Sequence, residues 1–112
     1  MRALFAAVLL ITAAAAGNTA VAEPDAAALQ ERGRALLAEK CSRCHAIGTT
    51  GASPLAQAPP FRTIMQRYGP QSLEEALAEG LSGGHEDMPE FVFEPPDIAA
   101  IVSYLATLRG GR

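Results

Sequence analysis

The stretch Cys41-Ser42-Arg43-Cys44-His45 (CSRCH) contains both cysteines of the chain and one of its two histidines. Cysteines three residues apart lie on one face of a helical turn, so their thiols can reach the same partner. A disulfide between them would close a very short loop, and the stabilisation from a disulfide grows with the length of the loop. A structural crosslink is therefore a poor explanation of this stretch.

Three other kinds of site use a C-x-x-C pair. A thioredoxin-like redox pair lies near a βαβ unit, and this sequence shows no strand-like alternation of useful length. A structural zinc ion takes four ligands, here Cys41, Cys44, His45 and His85, but His45 directly follows Cys44 and is awkward as a third ligand. The third kind is covalent haem attachment, which C-x-x-C-H indicates. Two thiols on one face can add to the vinyl groups along one porphyrin edge, and the adjacent histidine can bind the iron.

The first 22 residues have the pattern of a secretory signal peptide. Arg2 precedes an apolar run from Ala3 to Ala16, and small residues end the segment at Ala20-Val21-Ala22. A membrane-spanning helix needs roughly 20 apolar residues, so the alternative of an uncleaved anchor is disfavoured. We expect cleavage after Ala22, export to the periplasm and one domain over residues 23–112, without stable membrane insertion. Covalent haem attachment occurs in the periplasm, so this segment and CSRCH support each other.

The charge balance argues against a nucleic-acid partner. The chain has 9 Lys+Arg and 12 Asp+Glu, a formal net charge of −3. Nucleic-acid binding requires clustered basic residues, which are absent from the sequence. A domain of this size buries a modest core, to which a large apolar cofactor would add. A monomer is the default expectation.

Four segments with apolar residues at helical spacing predict an all-α domain. They cover residues 29–41, 61–69, 72–81 and 95–111. Gly33 lies on the apolar face of the first segment, where glycine costs about 1 kcal/mol unless another element packs closely against it. Ser72 and Glu75 fit a capping box that would begin the third helix, and Gly80 would end it.

The chain also resembles a known family, the small monohaem class I cytochromes c. The stretches that carry the resemblance are CSRCH at 41–45, APPF at 58–61, GHEDMPEF at 84–91 and IVSYLATL at 101–108. It implies an all-α shell around one haem c, bound covalently through Cys41 and Cys44. It also implies that the N- and C-terminal helices cross at a glycine and an aromatic ring, here Gly33 and Tyr104.

His45 is expected as one axial ligand of the iron, and the second ligand must come from elsewhere. Met65 falls in an apolar helical stripe and is interpreted as core. Met88 lies among acids and glycines ahead of Pro89, where a buried thioether needs a partner, and the family places its axial methionine in such an M-P-x-F stretch. Met88 is therefore the predicted second ligand. His85 is interpreted as a solvated loop residue. In the alternative, His85 would be the second ligand, and this bis-histidine ligation would lower the reduction potential relative to His/Met ligation.

Two further kinds of contact to the haem are expected, and the resemblance implies the first of them. A carbonyl in the proline loop would accept a hydrogen bond from the second nitrogen of the axial histidine. Pro60 is the candidate for this role, with Pro59 as its alternative. Arg62 and Tyr68, and also Arg67, are candidates to bind the haem propionates.

With both axial positions filled, the iron has no room for a substrate. The expected role is one-electron transfer between periplasmic redox proteins such as a dehydrogenase, reductase or terminal oxidase, not enzymatic turnover. Two alternatives stay open: a peroxidase or gas sensor in which Met88 is labile, and a fixed electron-entry subunit of a larger oxidoreductase. Carbon monoxide binding to the ferrous protein tests the first, and co-purification at low salt tests the second.

Overall fold

The computed structural model describes residues 14–17, 25–81 and 87–110, and within these ranges all regular structure is helical. The elements are α1 (Ala26–Lys40), α2 (Phe61–Arg67), α3 (Pro70–Glu79), α4 (Pro95–Thr107) and a 3-10 turn (Leu108–Gly110). The predicted all-α class is confirmed. The predicted signal peptide lies outside the described residues except for 14–17, which are exposed and non-helical, and His85 also lies outside them. No helix in the described ranges combines the length and apolar character needed to cross a bilayer.

Helices α1 and α4 cross at Gly33. A Cβ at this position would lie 2.6 Å from the carbonyl carbon of Ala100, nearer still to its oxygen, and 3.0 Å from the amide nitrogen of Ile101. The glycine of the predicted crossing is therefore in place, but its closest neighbours are backbone atoms of α4 and not the ring of Tyr104. Tyr104 instead donates its hydroxyl to the carbonyl of Ile47 over 2.7 Å.

The hydrophobic core lies where α4 packs against the other helices. Its buried members are Leu37, Phe61, Met65, Leu77, Ile98, Ile101, Leu105 and Leu108. Each such side chain contributes roughly 1.5–3 kcal/mol when fully buried. Met65 is completely buried in this cluster, in agreement with its interpretation as a core residue.

Helix α3 begins two residues earlier than predicted. Gly69, with φ 78°, precedes Pro70 at the first helical position, where proline is tolerated because no intrahelical bond requires its missing N–H. Ser72 consequently lies inside the helix, and its hydroxyl donates to a backbone carbonyl one turn earlier over 3.0 Å. The predicted capping box of Ser72 and Glu75 is wrong, because proline supplies the helix start. Gly80, with φ 90°, ends the helix as predicted.

Candidate functional site

The CSRCH stretch continues the path of α1 by one turn. The amide of Cys41 donates to the carbonyl of Leu37 over 2.8 Å and so caps the helix. The amides of Cys44 and His45 then both donate to the carbonyl of Cys41, over 3.2 and 2.9 Å. This turn places both thiols and the imidazole on the lining of one cavity.

Three adjoining cavities occupy the space between this turn and the helices. The first, of about 300 Å³, is lined by Cys41, Cys44, His45, Leu55, Gln57, Ala58, Asp87, Met88, Pro89 and Phe91. The second, of about 190 Å³, shares Cys41, His45 and Met88 with the first and extends to the core leucines. The third, of about 450 Å³, shares Pro59, Ile64 and Leu73 with the second. Ligand pockets of about 300–1,000 Å³ commonly hold a small molecule or cofactor.

Cys41 and Cys44 do not form a disulfide with each other. Burial, together with a smaller contribution from the neighbouring Cys44, raises the pKa of the Cys41 thiol to about 11. Reactive cysteines of redox enzymes have a lowered pKa, whereas a raised pKa is typical of an apolar, unreactive setting. The environment of Cys41 is therefore apolar, which does not favour the thioredoxin-like alternative.

The imidazole of His45 is oriented by a backbone carbonyl. Its Nδ1 lies 2.7 Å from the carbonyl oxygen of Pro59. Because a carbonyl only accepts, Nδ1 carries the proton and Nε2 is left as the metal-binding nitrogen. The candidate Pro60 is corrected to Pro59 for this contact: the Pro60 carbonyl accepts from the first turn of α2 instead. The ring of Phe61 packs beside the imidazole, with centroids 5.0 Å apart and planes at 41°.

The loop after the motif is tied back to it by hydrogen bonds that the sequence did not reveal. The amide of Leu55 donates to the carbonyl of Cys44 over 3.1 Å, and the amide of Phe61 donates to the carbonyl of Ala46 over 3.0 Å. The hydroxyl of Ser53 accepts from the amide of Ala46 over 3.0 Å. The proline loop therefore closes onto CSRCH and keeps the Pro59 carbonyl beside His45.

Arg62 has a buried donor that the described residues leave without a partner. Its Nη2 donates to the carbonyl of Gly51 over 2.6 Å, while its Nη1 is buried and has no hydrogen-bond partner within the described ranges. A buried, unpaired donor on a charged group is costly, so an anionic acceptor is expected beside it. Of the other propionate candidates, Arg67 and Tyr68 line the third cavity, and Tyr68 is 62% exposed.

These features fit a haem. The cavities are mainly apolar, two thiols and an imidazole line them along one turn, and the half-buried Met88 brings a thioether from a distant part of the chain. The orphaned Nη1 of Arg62 supplies a donor suited to a carboxylate. Leu55, Gln57 and Ala58 were not anticipated as lining residues, since their loop has no periodic pattern from which burial could be predicted.

Comparison with known proteins agrees with this fit. The sequence profile of the cytochrome c family matches residues 30–109. A cytochrome c6 from Picosynechococcus sp. is 36% identical over 104 residues, which cover 88% of this chain and 85% of the relative. No match was found among solved structures. Membership of the family entails covalent haem c and its iron, held here through Cys41 and Cys44, and electron transfer, not enzymatic turnover. On the profile match and this relative, the chain belongs to the cytochrome c family.

Proposed function

We propose that this protein is a periplasmic electron carrier in which His45 and Met88 are the two axial ligands of the haem iron. The observation that carries the proposal is that both thiols, the imidazole and the Met88 thioether line one cavity. When bound there, haem supplies a one-electron Fe(III)/Fe(II) couple whose potential depends on the axial ligands. Two protein ligands leave no iron position for a substrate.

Each ligand has a distinct effect on the electron-transfer equilibrium. The hydrogen bond from His45 Nδ1 to the Pro59 carbonyl fixes the ring and raises the basicity of Nε2. The thioether of Met88 is a soft, neutral donor, and methionine ligation raises the reduction potential relative to two histidines. The pair therefore favours a carrier that is readily reduced.

The carboxylates of the haem need donors, and Arg62 is a candidate because its buried Nη1 has no hydrogen-bond partner within the described residues, although its side chain lines none of the three cavities. Charge-assisted hydrogen bonds from guanidinium to carboxylate are stronger than neutral ones. Tyr68 and Arg67, at the third cavity, are further candidates for this role. We also infer export through residues 1–22, which the apolar N-terminal run supports, and redox proteins as partners, which family membership supports. A monomer is the default expectation for the oligomeric state.

Replacement of Met88 with alanine tests the ligation. The ferrous Met88→Ala protein is expected to bind carbon monoxide readily, because a position on iron is opened, and to lose the weak far-red absorption band of the ferric Met–iron bond. Met65→Ala is the matched control: it removes a methionine from the core, so it should lower stability without opening the iron. If Met88→Ala and wild type respond alike to carbon monoxide, the assignment of Met88 is wrong.

A further inference from the structure

Val92 is the most exposed large apolar side chain in the described part of the chain, at 86%. Its neighbours Phe91 and Phe93 are half-buried, their rings stack with centroids 5.8 Å apart, and they line the first and second cavities respectively. The two phenylalanines thus face the cavities, whereas the side chain between them faces solvent. A polar residue would serve the fold equally well at this position, so packing does not explain the valine.

The segment that carries Val92 also has an exposed residue at the rim of the haem cavity. Pro89 is also exposed, and it lines the first cavity together with Met88 and both thiols. We call Pro89 and Val92 the Val92 patch. A protein that covers this patch would lie against the rim of the cavity in which the redox centre is bound.

The charged residues of the described segment 87–94, which contains the Val92 patch, are all acidic. Asp87, Glu90 and Glu94 are exposed on the same segment, and none of them forms an ion pair within the described residues. The sequence from 69 to 108 contains no lysine or arginine, so the cations of the chain lie mainly on α1, the CSRCH turn and α2. Unscreened carboxylates of one sign attract a cationic surface and can raise association rates by about 10- to 1,000-fold.

We propose that the Val92 patch and its acidic rim dock a redox protein whose contact surface is basic and has an apolar centre. This inference rests on the proposed electron-carrier function. A second copy of this chain would bring two acidic rims together, and an anionic lipid surface would be repelled, whereas a cationic protein surface is attracted. One electron leaves the reduced carrier and reduces the oxidised partner, and no atom is transferred.

The test measures oxidation of the reduced holoprotein by two one-electron reagents of opposite charge. Tris(1,10-phenanthroline)cobalt(III) is a cation with apolar ligands, and hexacyanoferrate(III) is an anion. Stopped-flow rate constants are measured from low to physiological salt for wild type, Val92→Ser, Glu90→Gln/Glu94→Gln and the control Glu31→Gln/Glu39→Gln. The control changes net charge equally but on α1. Reduction potentials of all variants are measured to exclude a change in driving force.

We expect the rate constant of oxidation by the cobalt reagent to fall as the salt concentration rises. At low salt, the Glu90/Glu94 variant should react about 3- to 10-fold more slowly with it, and the control less than 2-fold. Val92→Ser should slow the cobalt reaction without changing its salt dependence. Equal effects of the two double variants, or a cobalt rate that is independent of salt, would overturn the docking proposal. Failure of both reagents to oxidise the protein, with carbon monoxide binding to wild type, would instead overturn the proposed function.

Discussion

Replacement of Gly33 with alanine directly perturbs the helix crossing on which the fold depends. The added Cβ would lie 2.6 Å from the carbonyl carbon of Ala100 and 3.0 Å from the amide nitrogen of Ile101. Atoms at these positions belong to the backbone of α4, so they cannot swing away as the end of a side chain can. The helices must therefore move apart, by about 1 Å, to restore ordinary van der Waals contact.

Two opposing effects determine how much Gly33→Ala changes the free energy of unfolding. Alanine is a better helix former than glycine, which stabilises α1 by about 1 kcal/mol. Overpacking in a core costs about 1–3 kcal/mol, and a gap of 0.5–1 Å forfeits about a quarter to a half of each dispersion contact across the crossing. We expect the steric and packing losses to outweigh the propensity gain. Because the contacted atoms are backbone, the overpacking cost should lie near the upper end of its range. After the propensity gain, this leaves a net loss of about 2 kcal/mol of unfolding free energy, or roughly 8–16 °C in Tm for a domain of this size.

Guanidinium chloride unfolding of the holoprotein, followed by far-ultraviolet circular dichroism, measures this loss. Two controls separate its causes. Ala35→Gly, on the exposed face of α1, should cost about 1 kcal/mol from propensity alone. Gly48→Ala has open space around its Cβ and should change stability by under about 1 kcal/mol. If Gly33→Ala were as stable as wild type or more stable, close backbone approach would not be the reason for the glycine.

Two further predictions concern contacts of α4. Tyr104→Phe removes the hydrogen bond to Ile47 and should cost about 0.5–1.5 kcal/mol at neutral pH. Burial raises the pKa of Tyr104, the positive charge of Arg34 opposes the rise and Glu31 adds to it. The pKa of Tyr104 is therefore higher in the folded than in the unfolded protein. The stabilisation by its hydrogen bond is complete below about pH 10 and is lost as the pH rises through the pKa of the folded protein. Unfolding curves of both proteins from pH 7 to 11 should therefore converge, and a constant difference would contradict this account. Asp97→Asn removes the exposed ion pair to Arg32 of α1. It should lower the free energy of unfolding by at most about 1 kcal/mol, and by less in high salt. A larger loss that does not depend on salt, in the same assay, would contradict this expectation.

The sequence predicted those parts of the fold that depend on local pattern. Apolar spacing gave all four helices, and the setting of Met65 in a helical stripe placed it in the core. The C-x-x-C-H motif predicted the haem, because attachment through two thioether bonds requires this local spacing. The start of α3 was missed because a capping box and a proline two residues earlier compete, and the proline at the first helical position prevailed.

Contacts between distant parts of the chain were beyond sequence reasoning. The choice between Pro59 and Pro60 depends on how the loop closes onto CSRCH, which hydrogen bonds of Ser53, Leu55 and Phe61 determine. Adjacent prolines have the same local signal, so neither pattern nor resemblance could separate them. The hydrogen bond from Tyr104 to Ile47 likewise joins residues 57 positions apart in the sequence, and neither residue has a pattern that points to the other.

Helix α4 holds the haem motif from both sides. Before the motif, the close approach of Ala100 to Gly33 fixes α1, whose last turn leads directly into Cys41. After the motif, Tyr104, one turn beyond Ala100, holds Ile47, two residues past the axial His45. The position of the imidazole therefore depends on the same helix crossing that supports the core. Gly33→Ala should consequently disturb the site as well as the stability: a shift in reduction potential that exceeds that of Ala35→Gly would show that the crossing positions His45, whereas equal potentials would show that the proline loop alone does so.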